Sequence, residues 1–208
     1  WTSPFGPQCE MVIDTNGDAE ETVLDDTYFK AHDLVVAHMF EKGPGTALFL
    51  GGCVAVFPRY LARLFPDMQA TVVEIDPGMT QAAREYFGFQ DTTFPNLKFK
   101  YEDARVFANK NRNLFDFVDL DAFGAEGRVP FHLMTAEMFK ELARSVKDNG
   151  ILIVNTHGSY EGPGILYAAS FTKTVGKEFE HVGLYQFTGK PTANKNIVIV
   201  ASHSRELP

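Results

Sequence analysis

Between Thr46 and Met79 the chain reads TALFLGGCVAVFPRYLARLFPDMQATVVEIDPGM. An apolar run breaks at Gly51-Gly52, a helical pattern follows, and a second apolar run ends in Glu74-Ile75-Asp76. Two strands that flank a helix in this way must run parallel, because so long a connection carries the chain back across the sheet. This is the outline of a nucleoside-binding β-α-β unit.

The same alternation governs most of the chain. YFKAHDLVVAHMF, from Tyr28, has a 3.6-residue period and stops at Gly43-Pro44-Gly45. Strand-like runs follow at 47–50, 70–75, 97–101, 115–120, 151–155, 181–187 and 197–202, with helical patterns at 57–65, 79–87, 136–147 and 166–179. Alternating strands and helices predict a mostly parallel sheet covered on both faces. The last two strands are joined by TGKPTANK without a helix, so they should pair antiparallel. The expected fold is therefore α/β, a Rossmann-like class I methyltransferase fold whose seven-stranded, mostly parallel sheet has a reversed last strand.

Residues 1–28 read as a separate small β element, a hairpin turning at Asn16-Gly17, with the catalytic domain over 29–208. Asp14 to Asp18 look like the start of a calcium loop. That reading fails because Ala19 stands where the loop needs Gly, and Asp25 where it needs a bidentate Glu.

Composition sets the outer limits. The 208 residues carry 19 Lys and Arg against 27 Asp and Glu, a net charge of −8, which speaks against a nucleic-acid partner and favours a cationic ligand. Cys9 and Cys53 are the only cysteines, too few for a disulfide framework or a zinc cluster, and no His, Cys, Asp or Glu grouping has metal-ligand spacing. No apolar run is long enough to span a membrane and no signal peptide opens the chain, so a cytoplasmic, soluble domain is expected. The start at Trp1 suggests a piece of a longer protein, whose remainder could include a membrane attachment.

Ligands of open α/β sheets sit at the carboxyl ends of the strands. After the first strand, Gly51 and Gly52 let backbone approach a ligand closely, although a tight turn alone also explains them. After the second come Glu74 and Asp76. Glu74 lies 22 residues (74 − 52) beyond Gly52, the separation at which a carboxylate takes ribose hydroxyls as donors. The third strand ends at Asp103-Ala104, where Asp103 can accept an adenine amine or simply cap the next helix. The fourth ends in Asp119-Leu120-Asp121, whose two carboxylates share one face. Asp121, at the mouth of the sheet, can attract a cationic amine and take its proton, or close a turn. His157 follows the fifth strand and is a candidate to line the same site; His38 and His181 are better read as surface or satisfied core residues.

From Thr46 to Gly158 the chain resembles the spermidine synthase family of aminopropyltransferases. The resemblance rests on Gly51-Gly52, VVEIDPGMTQAAREYF, YEDARVF, FDFVDLDAFG and PFHLMTAEMFKELARSVKDNGILIVN. It implies a polyamine-biosynthetic transferase with decarboxylated S-adenosylmethionine on the glycine loop. Glu74 would hold the ribose, with Asp76 beside it, Asp103 and Ala104 would meet the adenine, and Asp121 would accept a proton from the amine. Gln8 matches a donor-contacting Gln, and His32-Asp33 match the family's Tyr-His/Gln-Glu segment beside the amine, with Ala31 in place of the Tyr. A small-molecule nucleoside donor, a cationic amine acceptor and a homo-oligomer, a dimer, are the expected partners.

Departures from the pattern are equally informative. The family loop is Gly-Gly-Gly-Asp-Gly-Gly, and Val54 stands where its Asp would grip the aminopropyl amine. The family's Asp-Ser-Ser-Asp-Pro appears as Asp121-Ala122-Phe123-Gly124, without its second Asp. Each lost charge-assisted contact in a buried site costs about 1.5–3 kcal/mol. Glu126 or His132 could compensate, and the aliphatic loop side chains would be free to pack on the nucleoside. Two alternatives therefore stand beside aminopropyl transfer: an S-adenosylmethionine-dependent methyltransferase, and a non-catalytic binding or scaffold domain of a longer protein.

Overall fold

The structure, a computed structural model, describes residues 2–3, 6–7, 27–112, 114–124, 127–162, 164–186 and 195–207. A two-stranded antiparallel ladder joins β1 (Thr2–Ser3) to β2 (Gly6–Pro7). Helix α1 (Thr27–Met39) leads into the main sheet. The hairpin expected at Asn16-Gly17, and Gln8 and Glu126, lie outside the described residues.

The chain then alternates as its periods predict: β3 (Thr46–Leu50), α2 (Val56–Leu64), β4 (Gln69–Glu74), α3 (Pro77–Tyr86), β5 (Leu97–Tyr101), α4 (Ala104–Lys110), β6 (Phe115–Leu120), α5 (Ala136–Ser145), β7 (Val146–Gly158), α6 (Gly164–Val175), β8 (His181–Tyr185) and β9 (Lys195–Ser202). A short 3₁₀ turn, Phe131–Leu133, precedes α5. The strand order is β5-β4-β3-β6-β7-β9-β8, and β9 runs antiparallel to both of its neighbours. The reversed last strand is thus present. Order reverses between β3 and β6, and there the ends of the two strands open the crevice in which such sheets bind ligands.

Two cores follow from strand alternation. On one face Ala47, Phe49, Val72, Phe117, Ile153 and Val200 pack under α1, α2 and α3, against Val36, Phe57, Leu61 and Ala83. On the other, Leu48, Leu50, Val73, Val118, Leu120, Leu152 and Ile199 pack against Ala104, Met138, Phe139, Leu142 and Phe171 of α4, α5 and α6. Each fully buried Leu, Val or Phe contributes about 1.5–3 kcal/mol, so neighbouring strand residues are pulled to opposite faces and the register is fixed.

Several boundaries differ from expectation: α6 ends at Val175 where the pattern ran to 179, and β7 spans Val146–Gly158 where 151–155 was expected. The helical pattern 136–147 ends at Ser145, because Val146 is buried and pairs with Phe115. The register then shifts before Phe117 meets Ile151, accommodating Lys147 to Gly150 at the start of β7.

Candidate functional site

The sharp turn after β3 brings the first two candidates together. Gly51 has φ of 97°, and a Cβ added there would run into the Asp121 carbonyl oxygen. Gly51 N–H donates to the Val73 carbonyl and Asp121 N–H to the Leu50 carbonyl, both at 2.9 Å, so the ends of β3, β4 and β6 are tied at one point. At Gly52 a Cβ would press on the Val72 side chain at 2.6 Å. Gly51 is therefore required by backbone geometry, and Gly52 by the room that the Val72 side chain leaves.

Glu74, only 9% exposed, lies beside this turn. Its Oε2 accepts from Gly52 N–H at 3.1 Å and Cys53 N–H at 3.0 Å, and its Oε1 from Asp76 N–H at 3.0 Å. A carboxylate has about four acceptor sites. A ribose diol would share those oxygens with the loop or displace its N–H groups. Asp76 caps α3, its Oδ1 accepting from Gly78 N–H at 2.8 Å, with Pro77 fitting the first turn.

Asp103 caps α4, accepting at Oδ1 from Arg105 N–H at 2.9 Å and Val106 N–H at 3.0 Å. Its other oxygen is 2.8 Å from His132 Nε2. Burial would push the Asp103 carboxyl up, but Val106 N–H, His132 and Arg105 N–H outweigh it and hold the group below its ordinary value. His132 thus sits on the Asp103 side of the site, not beside Asp121 where a replacement acceptor contact would be needed. Arg105 Nη1 fastens the same corner, donating to the His132 carbonyl at 2.8 Å and Thr135 Oγ1 at 3.0 Å.

The Asp121 side is a partly buried polar cluster centred on the buried Asn155. Asn155 Nδ2 donates to Asp121 Oδ1 at 2.8 Å, and Asn196 Nδ2 to Asn155 Oδ1 at 3.0 Å. His157 packs edge-on against Phe123, centroids 5.3 Å apart, and the neighbouring Asn196 and Gly127 act to raise its imidazole. Burial nonetheless holds its imidazole below the ordinary range. Asn155 and Asn196 were missed in the sequence. An Asn closing the aliphatic run ILIV was the signal for the first, whereas nothing local marks Asn196.

Beneath lies a second missed feature. Asp119, 3% exposed, registers between Phe49 and Ile153 on the α1-facing side of the sheet, and His32 of α1 is fully buried opposite it. Nδ1 of His32 is 3.6 Å from Asp119 Oδ1. Burial alone would lower the imidazole, but Asp119, assisted by the more distant Asp121, carries it above its ordinary value. Asp33, one residue on, is half-buried; burial raises its carboxyl despite the Tyr60 hydroxyl bond, and burial and Asp33 together push Tyr60 up to about 12.

Two expectations need correction. Val54, Ala55 and Val56 are 2%, 0% and 7% exposed, and Val54 and Val56 join the core under α1 and α2. These aliphatic side chains are consumed by the protein interior and do not face a nucleoside. Cys53 and Ala55, which replace two family glycines, adopt φ of 44° and 60°, the left-handed region. Finally, Cys53 is disulfide-bonded; the other cysteine, Cys9, lies outside the described residues. Two cysteines suffice for one bond, and spacing along the sequence says nothing of proximity in the fold. Among the described residues no group of three potential metal ligands occurs, and no helix is long and apolar enough to cross a membrane.

Residues 31–207 match the spermine/spermidine synthase domain model. The chain belongs to this family. Relatives include a polyamine aminopropyltransferase of Vibrio vulnificus, 34% identical over 139 residues, covering 64% of this chain and 46% of that protein. An N-terminal histidine N-methyltransferase of Emericella nidulans is 29% identical over 171 residues, covering 78% of this chain and 29% of that protein. The chain thus spans less than half the length of these two relatives. A probable spermidine synthase from Corynebacterium glutamicum superposes with a TM-score of 0.77 at 22% identity, over 94% of this chain and 76% of that one. A spermidine synthase in complex with the transition state analogue AdoDATO gives 0.71 at 18%, over 91% and 65%. These structures share the fold of the spermine/spermidine synthase domain described here.

Proposed function

We propose that the domain binds a sulfonium nucleoside, decarboxylated S-adenosylmethionine, and transfers its aminopropyl group to an amine. The supporting observation is convergence: the ends of β3, β4, β5 and β6 place Gly51, Gly52, Glu74, Asp103 and Asp121 along one edge of the sheet. In this reading the loop and Glu74 take the ribose, and Asp103 and Ala104 border the adenine. The amine reaches Asp121, which draws the cation in and receives its proton. The amine lone pair then attacks the carbon next to sulfur. The C–N bond forms as the C–S bond breaks, and a neutral thioether nucleoside leaves. A single displacement of this kind depends mainly on positioning and desolvation. His32, Asp33 and His157 belong to the acceptor side as supporting residues, and a homodimer is the proposed assembly.

A second reading, methyl transfer from S-adenosylmethionine, is favoured by one observation. Val54 occupies the position of the family's amine-gripping Asp and is buried in the core. Nothing at that position then selects an aminopropyl donor, and a relative is an N-methyltransferase.

Calorimetric titration with the two donors side by side separates the readings. Tighter binding of the decarboxylated form, followed by aminopropyl transfer to a diamine, supports the first. Tighter binding of intact S-adenosylmethionine replaces it with the second, and binding of neither removes both.

A further inference from the structure

Asn155 is 1% exposed, three residues before the end of β7, and the four preceding residues, Ile151 to Val154, are aliphatic and fully buried. A buried amide needs partners for both its ends, and here the partners dictate its direction. Asn196 on β9 presents its NH₂ to Asn155 Oδ1, so the Asn155 NH₂ must face Asp121. The flipped amide would set oxygen against carboxylate and NH₂ against NH₂. Three side chains from β9, β7 and the end of β6, namely Asn196, Asn155 and Asp121, thus form one directed chain that ends on the carboxylate.

We propose that Asn155 is a positioning residue for Asp121, oriented by Asn196, so that the carboxylate is held in one orientation as the amine attacks. The inference rests on Asp121 being the group that receives the amine proton. A carboxylate gripped by a fixed donor is already placed before the acceptor arrives, and misplacement of about 1 Å costs on the order of 100-fold in rate. Removing a donor to a carboxylate also makes its charged form less favourable and raises its pKa.

The experiment follows the Asp121 carboxyl by ¹³C NMR titration, assigned by difference against Asp121→Asn, together with kcat and KM for the acceptor. In Asn155→Ala the titration moves to higher pH and kcat falls about 10- to 100-fold, with the acceptor KM changed less than kcat. Asn196→Ala, which removes the remote member only, shifts both in the same direction by a smaller factor, and it serves as the test should Asn155→Ala fold poorly. An unmoved titration in both variants overturns the relay. A raised acceptor KM at unchanged kcat in Asn155→Ala also overturns it, by making Asn155 a direct acceptor contact. A wild type that transfers no group to any amine sinks the reaction assignment instead. The titration, read on the protein alone, then still decides the contact.

Discussion

The Nδ1 of His32 lies 3.6 Å from Oδ1 of Asp119, with both residues sealed in the core beneath Asp121. A lone carboxylate among Phe49, Phe117 and Ile153 would be strongly penalised, so the pair is sustained by charge on the imidazole. The folded-state pKa of His32 is above its reference of 6.5. Its contribution is therefore complete below about pH 6.5 and fades as pH rises through the higher folded value. Thermal melts of the wild type should decline across that alkaline window, whereas His32→Gln should lose this slope. Breaking the pair should cost about 3–5 kcal/mol at pH 6. A wild-type melting curve flat from pH 6 to 9 would contradict the pairing.

Ala55 offers a test in which three effects compete. Its left-handed φ of 60° costs about 1–2 kcal/mol for a residue with a Cβ. Ala55→Gly removes that strain, but loses a buried methyl worth about 0.8 kcal/mol and adds about 0.5–1 kcal/mol of unfolded-chain entropy. The sum is close to neutral, within about 0.8 kcal/mol either way. Ala55→Val gains no such offset and should destabilise by about 2 kcal/mol or more through strain and overpacking. Denaturant midpoints of the two variants check the contrast.

Asp121→Asn keeps an oxygen to accept the Asn155 NH₂ and should leave the fold intact. It removes the charge that receives the proton, so transfer should fall about 10²- to 10⁴-fold while donor binding stays within a few-fold. Calorimetry and a turnover assay on the same preparation decide this. Equal loss of both would make Asp121 structural.

At the opposite end of the sheet, Asp116 accepts from Thr46 N–H and Oγ1, each at 2.8 Å, and from Lys147 Nζ at 3.0 Å. Burial would raise its carboxyl, but these partners prevail and lower it below its reference of 3.8. Its stabilisation is present above about pH 3.8 and is lost as pH falls through the folded value. Asp116→Ala should cost about 1 kcal/mol at neutral pH, because Lys147 is 40% exposed and water screens the pair. The variant should also show a shallower acid limb in a pH-melt series.

The sheet, its parallel order and the reversed β9 were legible because each strand carries its own period and each loop its own length. Gly51, Gly52, Glu74, Asp103 and Asp121 were legible for a related reason: residues at strand ends are placed by the sheet itself. Local sequence could not say that Val54 faces the core, since loop side-chain direction depends on φ at Cys53 and Ala55. Nor could it pair His32 with Asp119, 87 positions apart (119 − 32), or Asn155 with Asn196, 41 apart. What the sequence determined by itself was the periodic framework, because hydrophobic burial acts through spacing along the chain. What only the tertiary structure decided was which polar groups meet inside it. An isolated buried charge or amide is too costly to persist, so its partner is chosen by proximity in space.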